Sequence, residues 1–301
     1  MQLLDVLNAP WAIVPEKLVE IREIYLTHLR GEKIDVRGIE ARLGQPLNNE
    51  REPYKVTDGV AVLPVEGVIA KRMNLFMRII GGTSTQLLAT DFQAALDDPK
   101  AHSILLHIDS PGGEVDGTQE LSRLIREARG KKPVVALIDG MGASAAYWLA
   151  SAADRVFVTS DTTQVGSIGV VATHTDISKA EEMRGVKTTE ITAGKYKRIA
   201  SEHAPLTPDG RRAIQEQVDY IYSVFVDEVA HNRGTSVDTV LEKMADGRIF
   251  LGKQAVEAGL ADGVSTQADL IRQLNQEHTD VKRAVARQIL TERRDVWKAK
   301  R

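Results

Sequence analysis

The sequence predicts an α/β domain built on a largely parallel sheet, and three observations carry that reading. From residue 56 onward, short apolar runs alternate with segments of helical spacing. Residues 133–138, Pro-Val-Val-Ala-Leu-Ile, form an apolar run of the kind a buried strand presents. Two of the apolar runs also lead through glycine-rich stretches into helical patterns, at Pro111-Gly112-Gly113 and at Gly140-Met141-Gly142.

Taken in order, residues 60–68 are the first strand, interrupted by Pro64. Residues 85–96 read as a helix, 103–108 as a strand, 118–129 as a helix and 134–138 as the next strand. The Ala-rich segment 145–153, with Tyr147, Trp148 and Leu149, reads as a buried helix, and 155–159 as a further strand. After Lys197 the chain turns helical. Thr207-Pro208-Asp209 opens a long amphipathic segment with Ile214, Val218, Ile221, Val224 and Phe225 on one side. Residues 236–244 and 252–258 follow, with Gly259 as a C-terminal stop.

Appendages flank this pattern. Residues 1–55 read as a helical arm and linker, with helices at 15–29 and 35–43 and a polar stretch at 45–54 containing Pro46 and Pro53. The arm is expected to be a packing or docking element. Residues 280–301 form a basic amphipathic tail with a local net charge of +5 and a narrow stripe of Val281, Val285 and Ile289. The tail is expected to be a solvated terminal helix; docking onto an acidic partner, or continuation into a longer polypeptide, is the sharper alternative. The domain proper is expected to span residues 56–279.

With 301 residues, 43% hydrophobic and 27% charged, the composition is that of an ordinary globular chain. A net charge of −3 gives no general reason to expect nucleic acid. The absence of cysteine excludes disulfides, a thiol nucleophile and thiolate metal sites. No run approaches the roughly 18 apolar residues of a membrane span, and the start carries no secretory pattern, so a cytoplasmic protein is expected.

The chemistry centres on Ser144, which follows Gly140-Met141-Gly142-Ala143 and precedes Ala145-Ala146-Tyr147. A serine between a glycine-rich turn and a helix start lies beside free N–H groups that can stabilise an oxyanion. It needs a base. None of the seven histidines has an obvious orienting aspartate, though His174, His203 and His231 follow the serine. A lysine is the other option. At its ordinary pKa of about 10.4 a lysine is neutral in only about one molecule in 2500 at pH 7, so burial must favour its neutral form. Gly194-Lys195-Tyr196-Lys197 offers two candidates. The turn at Gly112-Gly113 lies one βα unit before the serine, on the rim where such folds place their sites, and can supply a second oxyanion donor.

These segments, with Val165-Gly166-Ser167-Ile168-Gly169, Gly247-Arg248-Ile249-Phe250 and Ala258-Gly259-Leu260-Ala261-Asp262 in the same order, resemble the signal peptide peptidase A (SppA) family and its phage relatives, the protein C-type head maturation proteases. The resemblance covers about residues 58–265. It implies a crotonase-like (ClpP-like) fold and a Ser/Lys dyad, with Ser144 as nucleophile and Lys197 as general base. Lys195 occupies the family's variable position. The implied oxyanion donors are the backbone N–H groups of Gly113 and Ala145, and Ser167 could orient Lys197 or serve only to pack its turn. No cofactor or metal is implied. Single-copy relatives complete the dyad across a protomer boundary, which implies a homo-oligomer here. The expected function is cleavage of scaffold or capsid proteins in phage prohead maturation. The runner-up is a cytoplasmic bacterial peptidase acting on signal peptides or other short segments. A crotonase-type acyl-CoA enzyme and a non-catalytic assembly protein are the readings from other classes.

Overall fold

The computed structural model describes residues 10–15, 17, 18, 54–72 and 81–299. In chain order the strands are Trp11–Ile13 (β1), Lys55–Thr57 (β2), Val60–Glu66 (β3), Val68–Ala70 (β4), Gly82–Ser84 (β5), Ser103–Ser110 (β6) and Gly112–Glu114 (β7). They continue with Val134–Ala143 (β8), Arg155–Val158 (β9), Gln164–Gly166 (β10), Ile249–Leu251 (β11) and Gly263–Val264 (β12). The helices are Thr85–Asp97 (α1), Thr118–Glu127 (α2), Ala145–Ser151 (α3), Ser178–Met183 (α4), Pro208–Arg233 (α5), Val237–Lys243 (α6), Gly252–Glu257 (α7) and Gln267–Ala299 (α8).

The larger sheet has the order β11-β10-β8-β6-β3-β2, with β9 beside β8 and β12 beside β9. The β3–β6, β6–β8, β8–β9, β8–β10 and β9–β12 pairs are parallel, so the expected α/β class holds. Only β2 and β11 run against their neighbours in it. A smaller sheet, β1-β7-β4-β5, stands beside it.

Burial explains why β6 and β8 are near-continuous apolar runs. Ile104, Leu106, Ile108, Val134, Ala136 and Ile138 face a core filled by Leu88 and Phe92 of α1, Leu121 and Ile125 of α2, and the whole of α3. The alternate residues Leu105, Val135 and Leu137, with Val60, face Leu270, Ile271 and Leu274 at the start of α8. Both faces are therefore covered, as a parallel sheet requires. Pro64 is tolerated inside β3 because β2 pairs only as far as Val62, leaving the proline without a β2 partner.

Helix ends follow their sequence signals. The Ser84 and Thr207 side chains accept the Leu87 and Gly210 N–H groups to start α1 and α5, and Gly234 ends α5 at φ +63°. The expected apolar side of α5 is buried only in its second half, where Phe225 stacks on Trp148 with ring centroids 4.3 Å apart. Ile214, Val218 and Ile221 stay half-buried. The expected arm helices and linker fall outside the described residues except for Pro15, Lys17, Leu18 and Tyr54. Residues 280–299 of the basic tail are the far part of α8, and Val281, Val285 and Ile289 are exposed on it.

A partly buried ion pair helps tie the helical half to the sheet. Arg233, at the end of α5, donates from both terminal nitrogens to the two oxygens of Asp262, at 3.0 and 2.7 Å, and Asp262 also accepts the Val156 N–H of β9. Burial raises the Asp262 pKa, but the guanidinium and the N–H outweigh it and hold the carboxyl below its ordinary value. Its stabilisation is therefore present above the ordinary carboxylate range and is lost as pH falls through the lowered value. Asp262→Asn is expected to cost about 2 kcal/mol at pH 7, below the full cost of breaking a buried pair because the carboxylate keeps some water. In urea unfolding, the gap between variant and unaltered chain should close as pH falls below about 4.

Candidate active site

The site is built where β8 changes partners. β6 and β8 run in register from Ile104 opposite Val134 to Ile108 opposite Ile138, and then slip, so that Ser110 stands opposite Gly142. Asp109, at the slip, accepts the Met141 N–H on its carboxylate at 3.1 Å. β8 leaves β9 after Ile138 and pairs with β10 over Met141–Ala143. The stretch Gly140–Ala143, expected as a turn, is therefore strand. Its partner β10 is only three residues long and shows no period of its own.

Ser144 sits at the end of this strand, and its backbone is held on both sides. Its N–H donates to the Gly166 carbonyl at 2.7 Å, and its carbonyl accepts the Trp148 N–H at 2.9 Å. The resulting φ of 54° and ψ of −117° belong to glycine rather than serine, a strain of the kind found at functional sites. Although Ser144 occupies the N-cap of α3, its hydroxyl makes no capping bond. Among the described residues the hydroxyl makes one hydrogen bond, donating to the Gly169 carbonyl at 3.4 Å. Ser144 is 1% exposed.

The helix behind it is anchored. All residues of α3 are buried, and the Tyr147 hydroxyl donates to the Leu260 carbonyl at 2.9 Å. The Arg129 guanidinium closes the other end, donating to the carbonyls of Ser151, Ala152 and Ala153 at 3.0, 2.9 and 2.6 Å.

Pro111-Gly112-Gly113, expected as a turn, instead enters β7. Gly113 is packed between Ala12 of β1 and Ile69 of β4, and a Cβ there would overlap the Ile69 carbonyl. Gly112 lies at φ +99°, and a Cβ there would stand 2.9 Å from the Ala143 carbonyl and 3.1 Å from the Ala145 nitrogen. Only glycine permits this approach. It sets the strand carrying Gly113 directly against the turn carrying Ser144 and Ala145. Three of the four expected site residues thus share one place.

The fourth does not join them within one chain. Lys197 lies in an exposed turn where its N–H donates to the Gly194 carbonyl at 3.0 Å. Lys195 is exposed beside the ring of Tyr196, 5.2 Å from its centre. The burial expected of a lysine base is absent for both. No described histidine substitutes. His174 meets the Ser201 carbonyl, His203 meets Glu181, and His107 lies 3.3 Å from Asp139. Ser167 is buried at φ +50° with its N–H on the Arg248 carbonyl at 2.8 Å, which accounts for its place in the turn.

Sequence reasoning missed two participants. Asp109, just before Pro111-Gly112-Gly113, has no role in the reading of the sequence. Trp11–Ile13 stood in the arm, and the signal was present: an apolar Trp-Ala-Ile-Val bounded by Pro10 and Pro15. In the structure it is a strand paired with β7.

The family model for peptidase family S49 matches residues 126–282, a span that takes in Ser144 and Lys197. The chain is 36% identical to the capsid assembly protease C of Escherichia phage lambda, over 72% of its own length and 49% of that protein. It is 33% identical to the head-tail preconnector protein GP5 of Enterobacteria phage P21, over 79% and 48%. A more distant relative is the chloroplastic serine protease SPPA of Arabidopsis thaliana, 29% identical over 69% and 30%. The chain spans about half the length of the two phage proteins.

The backbone strain at residue 144 has a measurable consequence. Ser144→Ala and Ser144→Gly remove the same hydroxyl, but only glycine is at ease at this φ and ψ. The glycine variant is expected to be more stable than the alanine variant by about 1 kcal/mol, the relieved strain exceeding the chain entropy that glycine adds. Chemical unfolding of both variants measures it.

Proposed function

The chain belongs to peptidase family S49, and on that premise we propose that it is a serine endopeptidase of phage capsid assembly, cutting scaffold or capsid proteins. The observation that carries the reading is the seat of Ser144: a strained residue, its hydroxyl unused as a helix cap, with the glycine strand β7 pressed against its turn. The α/β fold agrees with the crotonase-like architecture expected of such a chain.

In the proposed reaction the amine of Lys197, in its neutral form, takes the proton from the Ser144 hydroxyl as the oxygen attacks the scissile carbonyl carbon. The negative charge that forms on the carbonyl oxygen is met by the N–H groups of Gly113 and Ala145. Collapse of the tetrahedral intermediate breaks the C–N bond, and the lysine ammonium returns its proton to the leaving amine. Water, deprotonated by the same lysine, then hydrolyses the acyl-serine ester.

Lys197 is proposed to act on a neighbouring copy. Residues 172–206 stand largely exposed, and Met183, Ile191 and Tyr196 are 84%, 96% and 65% exposed. Such apolar side chains on the segment that carries the base favour its being covered by a second copy of the chain. Covering it would also supply the burial that a lysine base needs. Among the described residues no helix is long and apolar enough to cross a membrane. The host cytoplasm, or the interior of an assembling shell, is the proposed place of action.

The second reading, an SppA-like peptidase acting on short peptides, uses the same site. It is favoured by similarity to the serine protease SPPA, and neighbouring genes for portal and scaffold proteins would decide against it.

Ser144→Ala and Lys197→Ala are each expected to abolish peptide cleavage and to leave the fold intact. Labelling by a fluorophosphonate should vanish in Ser144→Ala. Binding of an acyl-CoA thioester without cleavage would instead support the crotonase-type reading. If the dyad spans copies, mixing the two inactive variants should restore about a quarter of the activity after random exchange, since each intact site needs one good residue from each neighbour. Absence of rescue despite verified subunit exchange would place the base within the same chain.

Cleavage should accelerate as pH rises from 6 to 9, because only the deprotonated amine accepts the serine proton. A flat profile with chemistry rate-limiting would rule out a lysine base.

A further inference from the structure

An extended peptide binds a protein edge through its backbone, so a slot for one must offer N–H and C=O groups in strand register. The structure contains such a slot, and it is already filled. On one side of β1, Trp11, Ala12 and Ile13 stand opposite Glu114, Gly113 and Gly112 of β7, antiparallel. On the other side, Trp11 and Val171 exchange both backbone hydrogen bonds, at 2.8 and 2.9 Å. Val14 adds a bond from its N–H to the Pro111 carbonyl at 3.0 Å.

Both walls of this slot belong to the candidate site. β7 carries Gly113, the proposed oxyanion donor. Val171 lies two positions beyond Gly169, whose carbonyl accepts the Ser144 hydroxyl. The Ala12 carbonyl and the Ala145 nitrogen both border Gly112. Trp11, Ala12, Ile13 and Ser144 are all buried with β1 in place.

We propose that Trp11–Ile13 is a resident occupant of the peptide-binding slot, an internal strand that must leave β7 before a substrate strand can pair there. The proposal rests on the reading of Ser144 as the nucleophile of a peptidase. Sequence fits this role. Pro10 and Pro15 lack N–H groups and bound the segment, which keeps the strand short. A strand that short is held by few backbone bonds and by the Trp11 side chain, so it can be displaced without dismantling the larger sheet.

The test compares the full chain with Trp11→Ala and Ile13→Asp, following the rate at which a small fluorophosphonate labels Ser144 and the KM for a peptide substrate, with circular dichroism to verify folding. Both variants are expected to label at least about tenfold faster and to show a lower KM. Equal labelling rates in folded variants and unaltered chain would overturn the proposal and leave the peptidase reading standing. If Ser144 reacts in none of them, the peptidase reading falls and this proposal with it. A second measurement needs no variant. When a peptidyl fluorophosphonate is attached to Ser144 of the unaltered chain, the Trp11 and Val14 amides should lose their protection from hydrogen exchange. Protection that survives the attached peptide would show that β1 lies outside the slot and overturn the proposal.

Discussion

The slip between β6 and β8 is the constraint on which the rest of the structure depends. Up to Ile108 and Ile138 the two strands follow an ordinary parallel register; beyond it β8 has two residues more than β6 to reach the next pair. At the slip the Asp109 carboxylate accepts the Met141 N–H. The end of β8 is thereby turned away from β9 and onto β10. That redirection delivers Ser144 to the Gly166 carbonyl, fixes its left-handed backbone and starts α3 at Ala145. It also brings Ala143 and Ala145 against Gly112. A regular pairing of β6 with β8 would leave the serine on a straight strand with no helix end beside it.

The site that results is finished on one side only. The proposed nucleophile and oxyanion donors rest on buried elements: α3, closed at its far end by Arg129, and β7, packed between β4 and β1. The proposed base rests on an exposed segment with apolar side chains facing solvent. Rigid parts hold the groups that must be placed to fractions of an ångström. The exposed part carries the proposed base, the group whose proton affinity would have to change. In the proposed arrangement chemistry would be tied to the association of copies.

Much of this was legible in the sequence where a physical period or a compositional signal exists. The runs at 104–108 and 134–138 are apolar because both sheet faces are covered, and they read as strands for that reason. Ser144 and Ala145 stand out because the glycine-rich stretch before an Ala-rich helix has no bland explanation of equal weight. The glycines themselves misled. Gly140–Ala143 and Gly112–Glu114 look like turns, yet both are strands: Gly112 and Gly113 lie against neighbouring backbone, and Gly140 and Gly142 leave room for the Asp109 and Ile138 side chains. Strands of three residues, such as β4, β5, β10 and β11, are defined by their partners and carry no period to detect. The first half of α5 reads as a buried face and is only half covered, since a pattern of apolar residues does not tell whether the surface that covers it belongs to the same chain. Likewise, Lys197 stands out through likeness to a family motif, while its surroundings cannot be read from one chain.

The position of β1 bears on which substrates the slot can accept. A segment tethered to its own binding site competes at an effective concentration on the order of a millimolar or somewhat less. A dilute peptide of ordinary affinity would be outcompeted by such a tether at nearly every encounter. A protein packed at comparable density in the same compartment would not, because its own local concentration rivals that of the tether. Selectivity would then come from crowding as much as from the side chains of the cleaved sequence. Three residues of an N-terminal arm would act as a threshold, keeping the serine silent until the substrate is held close and in bulk.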